Sequence, residues 1–201
     1  MRALFSVIFT VAVAVVVGIG IGNQWPPSAV NPDPNHVHAD FAVWIGPMKM
    51  NFDRPEWMSG LSTDASHDNE EGIRKFVHLH DHVGHVVHFH KPGLTIGDFF
   101  TSLKMTLTAT CLRQDPDHAD CDSGASRWRM FVNGAERPMD PAYTPQDGDK
   151  ILLSYDIGAM AVNDQLAQMT SDACLYSKTC PWRGTPPTEG CIADPTVPCK
   201  E

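Results

Sequence analysis

The chain has 201 residues, of which 42% are hydrophobic and 19% are charged, a composition typical of a folded protein. Its formal net charge is -9, and Lys and Arg are nowhere clustered. Because phosphates and anionic lipid surfaces are bound by grouped basic side chains, this charge pattern argues against nucleic acid as a partner and against a polybasic membrane-surface patch.

An uncharged apolar run, ALFSVIFTVAVAVVVGIGIG, fills residues 3–22. As a helix its 20 residues would be about 30 Å long, which matches the hydrocarbon core of a bilayer. We therefore predict a single transmembrane helix over residues 1–22, with the membrane as a partner. Only Arg2 and the amino terminus precede the run, so the rest of the chain is expected on the extracytoplasmic or periplasmic side. A signal peptide cleaved near Gly22 is the alternative.

Residues 23–35 are rich in proline and predict a stiff linker that holds the folded part away from the membrane. In the next segment, HVHADFAVWIG, apolar residues alternate with polar ones and predict a half-buried strand. His36, His38 and Asp40 lie on the polar side of that strand. The sequence KMNFD predicts the return strand of a hairpin, and residues 54–75 predict a long polar loop with one helical turn.

The stretch HLHDHVGHVVHFH contains six of the ten histidines and predicts two further strands. In each strand the histidines alternate with apolar residues, and the apolar sides of both strands must be buried together. That requirement is met only if the connecting loop has an odd number of residues. It brings four side chains to one common side of the hairpin, namely His78, His80, His88 and His90.

Four imidazoles on such a grid can converge on one ion. Side chains two residues apart along a strand are about 6.6 Å apart, and cross-strand neighbours are about 5 Å apart. Histidine nitrogens bind zinc at about 2.0–2.1 Å. If the strand that carries His36 and His38 neighbours the hairpin, the predicted metal site grows to six histidines. An exposed polar strand face and a pH sensor are the competing interpretations.

All-nitrogen ligation suits Zn, Cu, Ni or Fe. Met48 and Met50 share one side of a strand and could add thioether ligands, which would favour copper, as would an extracytoplasmic location. Asp40 and Asp81 are candidates for the acceptors that orient imidazole N–H groups. We therefore predict a transition metal ion, copper or zinc, as the cofactor.

The remaining elements are a helix and three strand regions. Thr95 can cap a helix with an apolar stripe at i, i+3, i+4 and i+7, formed by Ile96, Phe99, Phe100 and Leu103. Strands are predicted in TLTATCL, in RWRMFVNG, which ends in an Asn-Gly turn, and in DGDKILLSYD, whereas RQDPDHADCDSGAS predicts a loop.

Six cysteines occur in two groups, as expected for disulfides in an oxidising compartment. Cys111 and Cys121 flank one loop, and four more occupy the carboxyl-terminal tail, namely Cys174, Cys180, Cys191 and Cys199. The tail has no C-x-x-C pair, so disulfides are favoured over a thiolate metal site. Spacing does not rank the three possible pairings within the tail.

Two resemblances bear on fold and family. FVNG followed by DGDKILLSYD resembles the last strands of β-grasp domains, which implies an α+β fold with a mixed sheet around one main helix and here an inserted histidine-rich hairpin. The whole chain is also similar to uncharacterised membrane-anchored extracytoplasmic proteins of bacteria and archaea. They share HADF, an HLH…HxH hairpin, GDFF, DGDKILLSY and a tail with CPxRG, and they imply no established activity.

The sequence thus predicts an anchor (1–22), a linker (23–35), a β-grasp-like ectodomain (36–160) and a disulfide-bound tail (161–201). The predicted function is extracytoplasmic metal binding for acquisition, delivery or protection. One alternative is a metalloenzyme with an open three-histidine site, although no G-x-S-x-G or H-E-x-x-H motif occurs. The other is an accessory subunit that docks on a membrane-protein partner through the tail.

Overall fold

The computed structural model describes residues 29–59, 72–124, 126–156 and 161–185. Over these ranges the chain is a mixed α+β protein, with more strand than helix. The predicted anchor lies outside the described residues. Within the described ranges, no helix combines the length and the apolar character that crossing a membrane requires.

The strands are, in chain order, β1 (Val37–Ile45), β2 (Met48–Lys49), β3 (Val77–His78), β4 (Val86–Phe89), β5 (Thr106–Leu107), β6 (Cys111–Arg113), β7 (Ala119–Cys121), β8 (Trp128–Val132), β9 (Ala135–Arg137) and β10 (Lys150–Tyr155). The α-helices are α1 (Ile96–Ser102), α2 (Val162–Ala167) and α3 (Ala173–Tyr176). Short 3-10 turns occur at Pro55–Trp57, Gly72–Lys75 and Pro181–Arg183.

The main sheet has the strand order β3-β4-β1-β10-β8-β9, with β2 paired to the end of β1. The central strands β1 and β10 are parallel, and the other neighbouring pairs are antiparallel. Strands β5, β6 and β7 form a small separate sheet. Strand β7 lies within the segment that the sequence predicted as a loop, because Cys121 pairs with Cys111 across the ladder.

One side of the main sheet packs against α1 and forms the largest core. The predicted cap is confirmed, since Thr95 accepts a hydrogen bond from the Asp98 backbone N–H and Asp98 accepts one from that of Thr95. The predicted stripe is buried in this core, from Ile96 to Leu103. The alternating apolar residues of β1 face the same core, among them Ala39, Phe41 and Val43.

The carboxyl-terminal segment covers the opposite side of the sheet. Trp44, Phe131 and Leu152 on that side pack against side chains in and after α2, including Val162 and Leu166. Helix α3 packs beside them, where Ala173 and Tyr176 form a cluster with Val86 of β4. The described part of the predicted tail is therefore the third layer of the fold, because the sheet has apolar residues on both sides.

Both disulfides of the described residues join cysteines that are close in sequence. Cys111 is bonded to Cys121 within the small sheet, and Cys174 is bonded to Cys180 just after α3. The prediction of disulfides is confirmed for these four residues. Cys191 and Cys199 lie outside the described residues.

Candidate metal centre

Strand pairing brings three histidine-bearing strands side by side. In the β3–β4 hairpin His78 is opposite His88, and in the neighbouring β1–β4 pair His38 is opposite the same His88. The connection between β3 and β4 runs from Leu79 to His85, seven residues, so the predicted odd length is confirmed. The apolar partners on the other side of these strands are buried in the main core.

Six imidazoles form one contiguous group, which we call the histidine cluster: His36, His38, His78, His80, His88 and His90. Ring centroids are 4.0 Å apart for His36 and His90, 3.8 Å for His80 and His88, and 4.8 Å for His38 and His88. The structure therefore brings together all six of the histidines singled out from the sequence. The strand order brings the six histidines together, because β4 lies between β1 and β3.

Five members of the histidine cluster are buried and His36 is half-buried, contrary to the exposed polar strand face considered from the sequence alone. His38, His78 and His88 have relative exposures of 2%, 0% and 0%. Helix α3 covers His38 and His88, with the Tyr176 ring 5.7 Å from that of His38 and 4.7 Å from that of His88, the latter in an edge-on arrangement. Tyr176 is a site residue that sequence reasoning missed, since no spacing rule links the tail to the hairpin.

Three members of the cluster meet the distance requirement for a shared ion. Each of His36, His38 and His88 offers a ring nitrogen, and these three atoms lie within 4.8 Å of one another. This trio differs from the four histidines predicted from the hairpin, because it combines His88 with His38 of β1 and with His36, which directly precedes β1. The group could hold a metal ion, and neutral imidazole nitrogens suit a transition metal.

His78 and His90 form a second close pair. Their Nε2 atoms are 3.2 Å apart, and their ring centroids are 4.7 Å apart. Both side chains are buried, with exposures of 0% and 7%. Two of the four predicted hairpin histidines are thus in direct contact on the side of the cluster near β3.

Oxygen acceptors hold the Nδ1 atoms of two hairpin histidines. The Arg74 carbonyl oxygen is 2.8 Å from His78 Nδ1, and an Asp81 carboxylate oxygen is 2.7 Å from His80 Nδ1. A carbonyl oxygen only accepts, so His78 carries its proton on Nδ1 and presents the Nε2 lone pair. This tautomer leaves Nε2 able to bind a metal. The predicted role of Asp81 as an orienting acceptor agrees with its position.

His38 is held in the same way by residues far away in sequence. Its Nδ1 is 2.8 Å from Ser177 Oγ, and the Ser177 hydroxyl donates to Asp147. Because that hydroxyl proton is committed to Asp147, Ser177 Oγ accepts from His38 Nδ1–H. Burial of the Asp147 carboxyl raises its pKa, but hydrogen bonds with His38 and Ser177 outweigh burial, so the pKa lies below its usual value.

Asp40, the other predicted orienting acceptor, binds the covering segment rather than a histidine. Its buried carboxylate accepts hydrogen bonds from the Thr170 hydroxyl and from the backbone N–H groups of Asp172 and Ala173. Asp40 follows His38 on the same side of β1, so it is adjacent to the cluster. Its role is to hold residues 170–180, which we call the α3 segment, over the histidines.

A second carboxylate attaches the α3 segment at the surface. Asp172 accepts hydrogen bonds from His85 Nε2 at 2.9 Å and from Arg183 at 2.8 Å. Burial of the Asp172 carboxyl raises its pKa, but these two partners together outweigh burial, and its pKa lies below the usual value. His85 thus contacts the covering segment.

The suggested thioether ligands do not belong to the site. Met48 is 68% exposed, and it pairs with Ile45 at the end of β1 opposite His38. Met50 packs against the main core. Met48 is therefore separated from His38 by most of the length of β1, and Met50 packs on the core. Methionine ligation, the argument that favoured copper, is wrong for this centre. His118 lies in an exposed turn beside Asp115, outside the histidine cluster.

The chain matches no protein-family model, no curated protein and no solved structure. The geometry of the histidine cluster is consequently the basis on which function is argued below.

Proposed function

We propose that this protein binds a transition metal ion through the histidine cluster. The observation that carries the proposal is the convergence of ring nitrogens from His36, His38 and His88 within 4.8 Å of one another. Burial of the imidazoles of His38, His78 and His88 costs hydration free energy, which coordination of an ion by these rings would offset.

Zinc and copper remain the two candidate ions. All six donors of the cluster are imidazole nitrogens, which both ions accept. The neighbouring carboxylates of Asp81 and Asp147 would offset part of the charge of a divalent ion. We propose acquisition, delivery or protection as the role, because the enclosed position of His38 and His88 favours holding an ion over admitting a substrate.

A metalloenzyme is the second candidate, and the size of the trio favours it. Three histidines leave a fourth coordination position, which in catalytic zinc sites is occupied by water or substrate. Turnover would require the α3 segment to move away from the cluster. A binding protein would instead keep the segment closed over the ion for as long as the ion remains bound.

We further propose that the chain is anchored in a membrane by its apolar amino-terminal run, with the histidine cluster on the extracytoplasmic side. Disulfide bonds in the described residues are compatible with that compartment. We propose that the chain belongs to the group of membrane-anchored, histidine-rich proteins named above and that it binds a membrane-protein partner. For the fold we propose a β-grasp relationship, supported by the parallel central pair β1–β10 and by α1 on one side of the sheet.

The test is elemental analysis of the purified full chain after incubation with Zn²⁺ or Cu²⁺ and removal of free ion. We expect bound metal in the wild type and a loss of at least half of it in the double variant His38→Ala, His88→Ala. The matched control is His118→Ala, an exposed histidine outside the cluster, which should bind as much as the wild type. Full metal content in the double variant would contradict the proposal.

A further inference from the structure

We propose that the histidine cluster holds two metal ions, with His78 and His90 contributing to a second site beside the trio of His36, His38 and His88. This inference rests on the proposed function. It goes further by stating how many ions bind and which histidines bind each ion.

The first argument is the capacity of a single ion. Zinc in structural protein sites is almost always bound by four ligands, so one zinc ion cannot use six imidazoles. The histidine cluster has six imidazoles in one contiguous group, and among the described residues only His36, His38 and His88 form a group of three whose nitrogens lie within 4.8 Å of one another. Two buried histidines, His78 and His90, therefore stand outside the trio and still face the cluster.

The second argument is the spacing of this pair. Two nitrogen ligands at about 2.0–2.1 Å from one tetrahedral ion are about 3.3–3.4 Å apart, by simple geometry from the bond lengths. The observed separation of His78 Nε2 and His90 Nε2 is 3.2 Å. An ion bound to both atoms would thus need only a small adjustment of the two rings.

The third argument is the protonation state of His78. Its Nδ1–H is donated to the Arg74 carbonyl, so a neutral His78 presents the Nε2 lone pair to His90. In the metal-free protein the His90 Nε2–H donates to that lone pair. On metal binding, neutral His90 changes tautomer, so that its proton is carried by Nδ1 instead of Nε2 and both Nε2 atoms become ligands.

A neighbouring ring can supply a third ligand to the second site. The His80 ring lies 5.7 Å from that of His78. His80 is oriented by Asp81, whose carboxylate lies 2.7 Å from its Nδ1. The ligand class that fits both sites is a divalent first-row cation with a preference for nitrogen, such as Zn²⁺.

The experiment counts Zn²⁺ in the full chain. Purified protein is saturated with Zn²⁺, freed of unbound ion and analysed for zinc and protein. We expect two ions per chain in the wild type and one in the double variant His78→Gln, His90→Gln, because glutamine keeps polar volume while removing the imidazoles. One ion in the wild type would overturn the second site and leave metal binding intact, whereas none would overturn the proposed function as well.

Two controls separate an internal site from surface binding and from misfolding. The variant His82→Ala, His118→Ala removes two exposed histidines and should retain two ions. A drop to one ion in that control would assign the second ion to the surface and overturn the inference. X-ray absorption of the zinc-loaded wild type needs no variant, and we expect about three histidine nitrogens per zinc. Four or more per zinc would contradict the division into two sites.

Discussion

Hydrogen bonds donated by Nδ1–H determine which ring nitrogen of His38 and of His78 can bind a metal ion. His38 Nδ1 donates to Ser177, which is itself committed to Asp147, and His78 Nδ1 donates to a backbone carbonyl. In both residues the proton is on the side away from the rest of the cluster. The consequence is that His38 and His78 direct Nε2 lone pairs toward the cluster, as metal-ligating histidines do.

Substitution of Ser177 tests the value of this orientation. Ser177→Ala removes the acceptor for His38 Nδ1–H without touching any imidazole. We expect the affinity for Zn²⁺ to fall by about tenfold or more, as is typical when the partner of a metal-ligating histidine is lost. Competition with a chelating dye measures the dissociation constant.

The matched control is Ser102→Ala. Ser102 is also buried, but its hydroxyl donates to Phe99 within α1, on the other side of the sheet. This variant should keep the wild-type affinity while losing some stability. Equal affinities of Ser177→Ala and the wild type would contradict the orienting role.

At the level of elements, the α3 segment stays over the cluster because a carboxylate of β1 binds its amino-terminal end. Asp40 is 1% exposed and satisfies two backbone N–H groups at the start of α3. A negative charge near the amino end of a helical turn is favourable, and a buried N–H without an acceptor is costly. Helix α3 has four residues, too few to be stable alone, so these contacts hold it in place.

Asp40→Asn should loosen this attachment. The amide oxygen can replace only part of the carboxylate's acceptor capacity, and the amide NH₂ would face other donors. We expect the free energy of unfolding to fall by about 1–3 kcal/mol, measured by chemical denaturation. We also expect faster transfer of zinc to a chelator. Asp140→Asn, at an exposed position, should change neither quantity, and an unaltered transfer rate in Asp40→Asn would refute the covering role.

The turn of the histidine hairpin depends on a glycine for a packing reason. A Cβ atom at Gly84 would lie 2.2 Å from the Asp53 backbone nitrogen and 2.5 Å from the Phe52 carbonyl carbon. Both atoms belong to the main chain that follows β2, so neither can move without shifting that segment. Gly84 thereby lets the hairpin lie directly against its neighbour.

Gly84→Ala should therefore cost about 3 kcal/mol of unfolding free energy, the upper part of the range typical of overpacking. Gly93→Ala is a useful contrast, because nothing lies within 4 Å of its added Cβ and only its φ of +82° opposes the change. That variant should lose about 1 kcal/mol. Thermal or chemical unfolding distinguishes the two, and equal losses would show that close packing at Gly84 is unimportant.

On the scale of the whole molecule, the main sheet lies between α1 and the carboxyl-terminal segment. The two disulfides stabilise different parts of this three-layer fold. The bond between Cys174 and Cys180 closes the α3 segment, while the bond between Cys111 and Cys121 lies in the small sheet. Cross-linking of short loops contributes about 2–3 kcal/mol in each case by the chain-entropy estimate. Only the first bond constrains residues that touch the histidine cluster.

The pair of double variants Cys174→Ser, Cys180→Ser and Cys111→Ser, Cys121→Ser separates stability from access. Both should unfold at lower denaturant concentration. Only the first should release zinc faster, because Tyr176 and Ser177 would no longer be held over the histidines. Equal release rates in the two variants, measured with a chelator in excess, would mean that the α3 segment does not control exchange of the ion.

Much of the strand architecture could be predicted from local patterns. The alternation of histidine with apolar residues depends only on the period of a strand, and burial of the apolar side then requires the odd connection seen from Leu79 to His85. The cap at Thr95 and the turn at Asn133 and Gly134 also follow from short-range chemistry. The small strand β7 was missed because its three residues pair only once Cys111 and Cys121 are brought together.

By itself, the amino-acid sequence determined that the histidines at alternating positions would lie on the side opposite their apolar neighbours, because side-chain direction along a strand alternates strictly. Three of the six, His38, His78 and His88, lie within strands, and the other three lie just beyond strand ends. Only the tertiary structure decided which of them meet and how they are enclosed. The trio needs β1 beside β4, and the cover needs Asp40 to bind Ala173, a residue 133 positions away. Such contacts depend on the packing of the whole sheet, and local spacing carries no information about them.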